Sequence, residues 1–304
     1  MKNITFAAID IGSNAVRLLI KRIDEDSPAP VKPLKKCLLL RVPLRLGFDV
    51  FSRGRVSEKR ADNLMRLMKA YRQLMRIYEV DVVRACATSA MRDAENGDEL
   101  IKRIEKETKI RIEIIPGEEE AKIVYANHME RSNESQGNFL YVDVGGGSTE
   151  TNLISDGELI KSESFNIGTV RILSEKVAPS EWERMNSELS RLSAGRNDIA
   201  IVGSGGNINK LFKMAKNKDT DHNEMSVTEL ARLYHLLKPL TVEQRMEIYG
   251  LNPDRADVII PAAEIFLNVA SITGAERIIV PVIGVADGII DCLYADWLKA
   301  QSGK

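Results

Sequence analysis

Asp143 closes the apolar run FLYV, and Glu150 follows it by seven residues across three glycines and two hydroxyls, in the stretch YVDVGGGSTE. Two carboxylates at that spacing can hold a hard cation such as Mg²⁺, or another divalent ion, through oxygen ligands and waters. Between them, the backbone N–H groups of Gly145, Gly146 and Gly147 can bind phosphate oxygens with no side chain in the way, and the hydroxyls of Ser148 and Thr149 can complete the cradle. The same residues have a structural reading. A glycine run marks a bulge or tight turn, and Ser and Thr cap local turns. On this stretch alone both readings stand.

Three further groups bear chemistry. Asp10 lies in AAIDIGSN, where Gly12, Ser13 and Asn14 form a second small-residue turn, and Ser13 offers another hydroxyl. Arg92, in ATSAMRDAEN just past an expected strand end, can fork onto phosphate oxygens or make a surface ion pair. The glutamates of GEEEA suit the positive end of a helix, and one placed there can also accept a proton from water, a contribution of roughly 10² to 10⁴ in rate.

Other chemistries are excluded. The chain contains no GxxxxGK[ST], no GxGxxG after a strand and no GxSxG. His128, His222 and His235 lack metal-ligand spacing. Cys37, Cys86 and Cys292 form no CxxC pair, which speaks for a reducing compartment and against a thiolate zinc site.

The elements that must position these groups read as α/β. A hairpin is expected at 4 to 23, then the proline-rich SPAPVKP loop and extended chain to about 56. From Ser57 a helix is expected with Ala61, Leu64, Met68, Tyr71, Met75 and Tyr78 on one apolar stripe. A strand at EVDVVRACATS, a helix over about 93 to 108 and a strand at 110 to 115 follow, and GEEEAKIVYANHM opens another helix. Aligning Asp10 with Asp143, 133 residues apart, superposes AAIDIG on YVDVGG and predicts two similarly folded domains. Further glycine turns are expected at 203 to 207 and 284 to 288. Four such turns at strand ends suggest loops converging on one ligand between the domains.

The 304 residues, 44% apolar and 29% charged, are enough for two cores. No export signal or bilayer-spanning run is read from the sequence, so a cytoplasmic protein is expected. The net charge of −1 is unevenly spread: residues 32 to 76 hold 13 basic side chains against three acidic ones. That stretch reads either as a solvated helix face or as a track for a polyanion.

AAIDIGSNAVRLLI, ATSAMRDAEN, IIPGEEEAKIVY, YVDVGGGSTE, NIGTVRIL, GSGGNINKL and RADVIIPA stand in the order seen in the exopolyphosphatase and guanosine pentaphosphate phosphohydrolase family, which the whole chain resembles. The resemblance implies two ribonuclease-H-like domains of the actin and sugar-kinase superfamily with a cleft between them, divided as 1 to 124 and 125 to 288, a helix at about 289 to 304 packing back on the first. It implies Mg²⁺-dependent hydrolysis of a terminal phosphoanhydride, with orthophosphate released. By motif position Glu120 would be the general base. Asp143 and Glu150 would manage metal and water, Gly145, Gly146, Gly147 and Ser148 would cradle phosphate, and Ser13, Asn14 and Arg92 would bind it from the other domain. The expected partner is inorganic polyphosphate or guanosine pentaphosphate (pppGpp), not nucleic acid or membrane, and a homodimer is a family-level expectation.

The chain departs from the family pattern in three ways. It is read as a short form without a C-terminal helical domain. GVADG replaces Gly-Leu-Arg-Glu-Gly, putting Ala286 and Asp287 where arginine and glutamate are usual, and Ala15 replaces a common serine. Two rivals of another class are kept: a phosphotransferase, and a non-catalytic sensor of polyphosphate or alarmone.

Overall fold

The computed structural model describes residues 4–24, 34–129, 136–281 and 284–302. The SPAPVKP loop and Lys32 therefore lie outside the described residues. The chain divides into two compact units, Met1–Pro116 with Val285–Lys304, and Gly117–Gly284.

The first unit begins with β1 (Thr5–Ile11), β2 (Val16–Ile23) and β3 (Leu34–Val42). Helices α1 (Leu46–Arg53) and α2 (Glu58–Ile77) follow, then β4 (Val82–Ala87), α3 (Ser89–Asp93), α4 (Gly97–Thr108) and β5 (Ile112–Ile114). The sheet order is β3-β2-β1-β4-β5. All seven residues of β1 are buried because it is the central strand, covered on both faces, which is why TFAAIDI shows no alternation of polar and apolar residues. In α2 the expected stripe is buried at Ala61, Leu64, Met68, Tyr71 and Met75, and the Ser57 side chain caps the helix by accepting from the Arg60 N–H.

Three expectations for this unit need correction. The chain between β3 and α2 is not extended, because Leu46, Val50 and Phe51 turn one face of α1 inward and Gly54 closes the helix with φ 76° and its N–H on the Val50 carbonyl. The helix expected over 93 to 108 begins only at Gly97, which packs so closely on the Met91 carbonyl that a Cβ would lie 2.4 Å from it, and a separate short helix, α3, ends at Asp93. The strand expected at 110 to 115 is paired only over Ile112–Ile114.

The second unit opens with α5 (Gly117–Met129), then β6 (Asn138–Val144), β7 (Thr149–Ser155) and β8 (Glu158–Phe165). Next come α6 (Thr169–Leu173), α7 (Pro179–Ser193), β9 (Ala200–Ser204), α8 (Gly206–Met214), β10 (Lys218–Asp219) and β11 (Glu224–Ser226). Helices α9 (Val227–Leu237), α10 (Val242–Tyr249), α11 (Pro253–Ala256) and α12 (Ile259–Thr273) lead to β12 (Arg277–Ile279). The sheet runs β10-β11-β12-β9-β6-β7-β8. Its last five strands repeat the order of the first unit, and both units are ribonuclease-H-like α/β folds.

The main core of the second unit includes Leu140, Val142 and Val144 of β6 together with Leu189, Leu211 and Phe266 of the helices. The opposite face of the sheet carries a smaller cluster of Phe139, Tyr141, Ile154, Ala200 and Val202. The span Pro253–Thr273 is long and apolar enough to cross a membrane by length and composition, contrary to the reading of the sequence, but 61% of its apolar window is buried in this unit, as suits a core helix.

The chain returns to the first unit with α13 (Val285–Ser302), which lies on β1, β2 and β4. Residues 285 to 288 are therefore the first turn of a helix and not the glycine turn expected at 284 to 288. Ala286 favours helix and Asp287 suits its positive end. The division between the units also falls after Pro116, where the sequence reading put it after 124: α5 packs on β7 and β8 and so belongs to the second unit.

The 133-residue repeat is geometric. Asp10 pairs with Arg17 across β1 and β2, and Asp143 pairs with Glu150 across β6 and β7. Gly12 N–H closes its turn on the Ala15 carbonyl at 3.1 Å, as Gly145 N–H does on Ser148 at 3.0 Å. Each hairpin's outer strand pair shifts register at the same place, between Ile20 and Lys21 in one and between Leu153 and Ile154 in the other.

Candidate active site

The cross-strand pairing gives the spacing of seven its meaning. Opposite residues of an antiparallel pair project from the same face, so Asp143 and Glu150 stand side by side, 6% and 1% exposed. Two like charges facing each other in a buried place are destabilising unless something neutralises or solvates them. Ser164 of β8 donates its hydroxyl to Glu150 Oε1 at 2.9 Å.

Two residues along β7, on the same face, Asn152 donates from Nδ2 to the Ala121 carbonyl at 3.0 Å and accepts from the Ser162 hydroxyl at 2.6 Å. This bond fixes the first turn of α5 on the carboxylate-bearing face. Glu120, adjacent to Ala121 and 6% exposed, belongs to that turn. The second unit thus sets Asp143 and Glu150 opposite each other and ties α5, which carries Glu120, to the strand of Glu150 through the neighbouring Ala121.

The glycine turn is held from one side only. The Gly145 carbonyl accepts from Thr169 N–H at 3.1 Å, and the Gly146 carbonyl from Val170 and Arg171 N–H at 2.7 and 3.0 Å. The Gly147 carbonyl accepts from Arg171 Nε at 2.7 Å. In a trans peptide the N–H of one residue points opposite to the carbonyl of the residue before it. With these three carbonyls facing α6, the N–H groups of Gly146, Gly147 and Ser148 point away from it, as a concave anion-binding nest requires. Ser148 and Thr149 are buried, and Thr149 donates its hydroxyl to the Ile167 carbonyl at 2.6 Å. That bond realises the structural alternative for Thr149.

A third element borders the carboxylates. Asp143 is in register with Ser204 of β9, and Gly205, with φ 105°, is so close that a Cβ there would lie 3.1 Å from Asp143 Oδ1. The glycine turns at 145 to 148 and 203 to 207 therefore meet around Asp143.

In the first unit Ser13 and Asn14 occupy the turn after β1. Their carbonyls accept from Gly47 and Arg45 N–H at 2.8 and 2.9 Å, so α1 backs this turn as α6 backs the other. Ser13 Oγ is 2.8 Å from Ser89 Oγ at the start of α3. Arg92, on the same short helix, donates to the Ile115 carbonyl at 2.7 Å. Asp10 is paired with Arg17 at 2.6 Å. The first unit thus gathers Ser13, Asn14 and the helix bearing Arg92.

The donors that Asp143 and Glu150 offer are carboxylate oxygens, a set that suits a hard divalent cation. Among the described residues no three His, Cys, Asp or Glu side chains form a group that could hold a metal by themselves. Mg²⁺ keeps several waters and needs only one or two carboxylates beside phosphate oxygens, which is what Asp143 and Glu150 offer.

Much of the basic stretch is engaged locally. Arg60 pairs with Asp49, Lys69 with Glu107, and Arg72 donates to the Thr108 carbonyl. Arg66 and Arg76 are exposed on α2. The residues to which the sequence reading gave no role are Gly168 and Arg171, which shape the glycine turn. They lie within the quoted NIGTVRIL, but nothing in their types announces Gly147 as a partner, 21 residues upstream of Gly168 and 24 of Arg171.

The model of the Ppx/GppA phosphatase family matches residues 19–295. The bifunctional 3-dehydroquinate synthase/phosphatase of Fusobacterium nucleatum is 31% identical over 303 residues, covering 91% of this chain and 45% of that protein, so the chain spans less than half of that relative. Exopolyphosphatase 1 of Mycobacterium tuberculosis is 26% identical over 274 residues, 84% of this chain and 78% of the relative. Among solved structures, the Aquifex aeolicus member of the Ppx/GppA family superposes with a TM-score of 0.76 at 26% identity, over 97% of this chain and 98% of that one.

Proposed function

The chain belongs to the Ppx/GppA phosphatase family, whose members hydrolyse phosphoanhydrides, and from that premise we propose that it is an exopolyphosphatase releasing orthophosphate from the end of inorganic polyphosphate. The observation that carries this reading is the turn at Gly145–Ser148, held by its carbonyls from α6, with N–H groups turned outward beside two buried carboxylates.

In this reading the N–H groups of Gly146, Gly147 and Ser148 take the oxygens of the terminal phosphate, and Ser13, Asn14 and Arg92 supply further contacts. Asp143 and Glu150 hold Mg²⁺, which when bound neutralises charge on the phosphates and relieves the repulsion between the two carboxylates. Glu120, fixed on the sheet face through its neighbour Ala121, takes a proton from the attacking water. Phosphoryl transfer asks mainly for positioning and charge neutralisation, and this residue set provides both. Hydrolysis of pppGpp is the alternative substrate assignment, because that molecule presents the same terminal phosphoanhydride.

The test measures phosphate release from polyphosphates of several lengths, pppGpp and ATP, with Mg²⁺ and after its removal by chelation. The expected result is release from polyphosphate that disappears on chelation and falls by about 10² to 10⁴ in Glu120→Gln. Release from pppGpp alone reassigns the substrate. No release from either removes the hydrolase reading, and an unimpaired Glu120→Gln removes the base.

A further inference from the structure

Asp287 stands in the first turn of α13, with Oδ1 2.7 Å from Nζ of Lys21; the side chains are 24% and 5% exposed. Lys21 lies on β2 opposite Phe6 of β1. Phe6 packs edge-on against Tyr294 and Trp297, ring centroids 6.2 and 6.4 Å away, further along the same helix. The helix is thus fixed to one sheet face by an ion pair at its start and an aromatic cluster two turns on. The register shift between Ile20 and Lys21 falls at this lysine, and such an irregularity re-aims a strand side chain.

The second unit shows what the pair replaces. Each unit has a helix that begins just after a crossing of the chain, GEEEA opening α5 and GVADG opening α13. Aligning Gly117 with Gly284 sets Glu120 over Asp287. The residue 133 positions after Lys21 is Ile154, and the residue 133 positions after Arg17 is Glu150. At both places the first unit has a cation and the second does not. One unit has two acid–base pairs, Asp10 with Arg17 and Asp287 with Lys21, where the other has three carboxylates.

We infer that Lys21 is a positioning residue: it takes up the carboxylate of Asp287, the counterpart of Glu120, and fixes the first turn of α13. The effect on substrate rests on the phosphohydrolase reading above. Without Lys21 the Asp287 carboxylate adds an unneutralised negative charge to the unit that carries Ser13 and Asn14. That change opposes binding of a phosphate chain, while Glu120, Asp143 and Glu150 are untouched.

The experiment compares Lys21→Met, Asp287→Asn, the double variant and Lys21→Arg, reading the urea midpoint and the KM and kcat for a polyphosphate of defined length with Mg²⁺. In Lys21→Met, KM is expected to rise about three- to tenfold with kcat within about twofold of wild type, the size of a screened interaction with one added charge. Adding Asp287→Asn is expected to restore KM, and Lys21→Arg to preserve it. A KM defect that persists in the double variant, or one that appears in kcat instead, overturns the inference.

Stability separates this failure from that of the functional reading. Either single substitution leaves an unpaired charge behind, buried at Lys21 or part-buried at Asp287, and lowers the urea midpoint, and the double variant recovers part of the loss. Strictly additive losses overturn the pairing even if the wild type releases no phosphate. If Lys21→Met does not fold, recovery of folding in the double variant supports the pairing, and failure of both overturns it.

Discussion

Substitution of Gly168 by alanine tests the carbonyl-held turn from behind, without removing any group that meets substrate. Gly168 has φ −143° and ψ 160°, extended backbone that alanine adopts freely, so the substitution introduces no dihedral strain. Its cost is steric. The new Cβ would lie 2.4 Å from Gly147 C and 2.5 Å from Gly146 C and Gly147 N, all backbone atoms that cannot rotate away. Restoring ordinary contact moves the turn or α6 by about 1 Å, since carbon atoms pack at about 3.5 to 4.0 Å. Overpacking of this kind costs about 1 to 3 kcal/mol, and each hydrogen bond from α6 that is lost adds about 1 kcal/mol. A net loss of about 2 to 4 kcal/mol is a large part of the 5 to 15 kcal/mol that holds a typical domain, yet compatible with folding at low temperature. A displacement of 1 Å can cost about 10² in rate where geometry matters. Urea unfolding and phosphate release should therefore both fall in Gly168→Ala, with the release per folded molecule reduced about 10²-fold. A folded variant with full activity would show that the outward N–H groups of the turn do not hold the reacting phosphate.

Two other outcomes are expected. Arg171→Met removes the Nε donor to the Gly147 carbonyl and should raise the KM for polyphosphate about tenfold; an unchanged KM and kcat would separate Arg171 from the cradle. Acid titration should reveal Glu229, whose carboxyl is held down to about 2 chiefly by its hydrogen bonds to Arg232, against desolvation, and with further bonds from Lys216 and Asn217 N–H. A depressed carboxyl stabilises the fold above its unfolded value of about 4.3. That contribution is lost as pH falls from there toward 2, so Glu229→Gln should flatten stability against pH in that window, and an unaltered slope would refute the assignment.

The sequence announced the hairpins and the carboxylates because both follow local rules. A strand, a small-residue turn and a second strand put Asp143 and Glu150 opposite each other once the loop length is set, and the same arithmetic worked for Asp10 and Arg17. Helix α2 was legible from one long apolar stripe with a serine cap. Helix α1 was not, because eight residues give barely two turns of periodicity and Pro43 precedes them. The two glycines that back the turns were equally silent. Gly168 is needed because the backbone of Gly146 and Gly147 comes within contact distance, and Gly47 because Ser13 and Phe51 do; the approach of Ser13 and of the Gly146–Gly147 backbone is a tertiary fact. The role of Asp287 was hidden for the same reason, its partner Lys21 lying at the other end of the chain.

The repeat at 133 residues carries a historical consequence. From Thr5 to Arg22 and from Asn138 to Ser155 the register, the turn closure and even the irregular step recur at a constant offset, so neither copy has gained or lost a residue within this stretch. Beyond it, the connection from Ile23 to Leu34 is several times longer than the Asp156–Gly157 turn that joins the matching strands of the other copy. Duplication followed by selection on the course of the main chain, with side chains left free to take up separate work, would leave this record. Arg17 and Glu150 are then one ancestral position that took opposite charges in its two descendants.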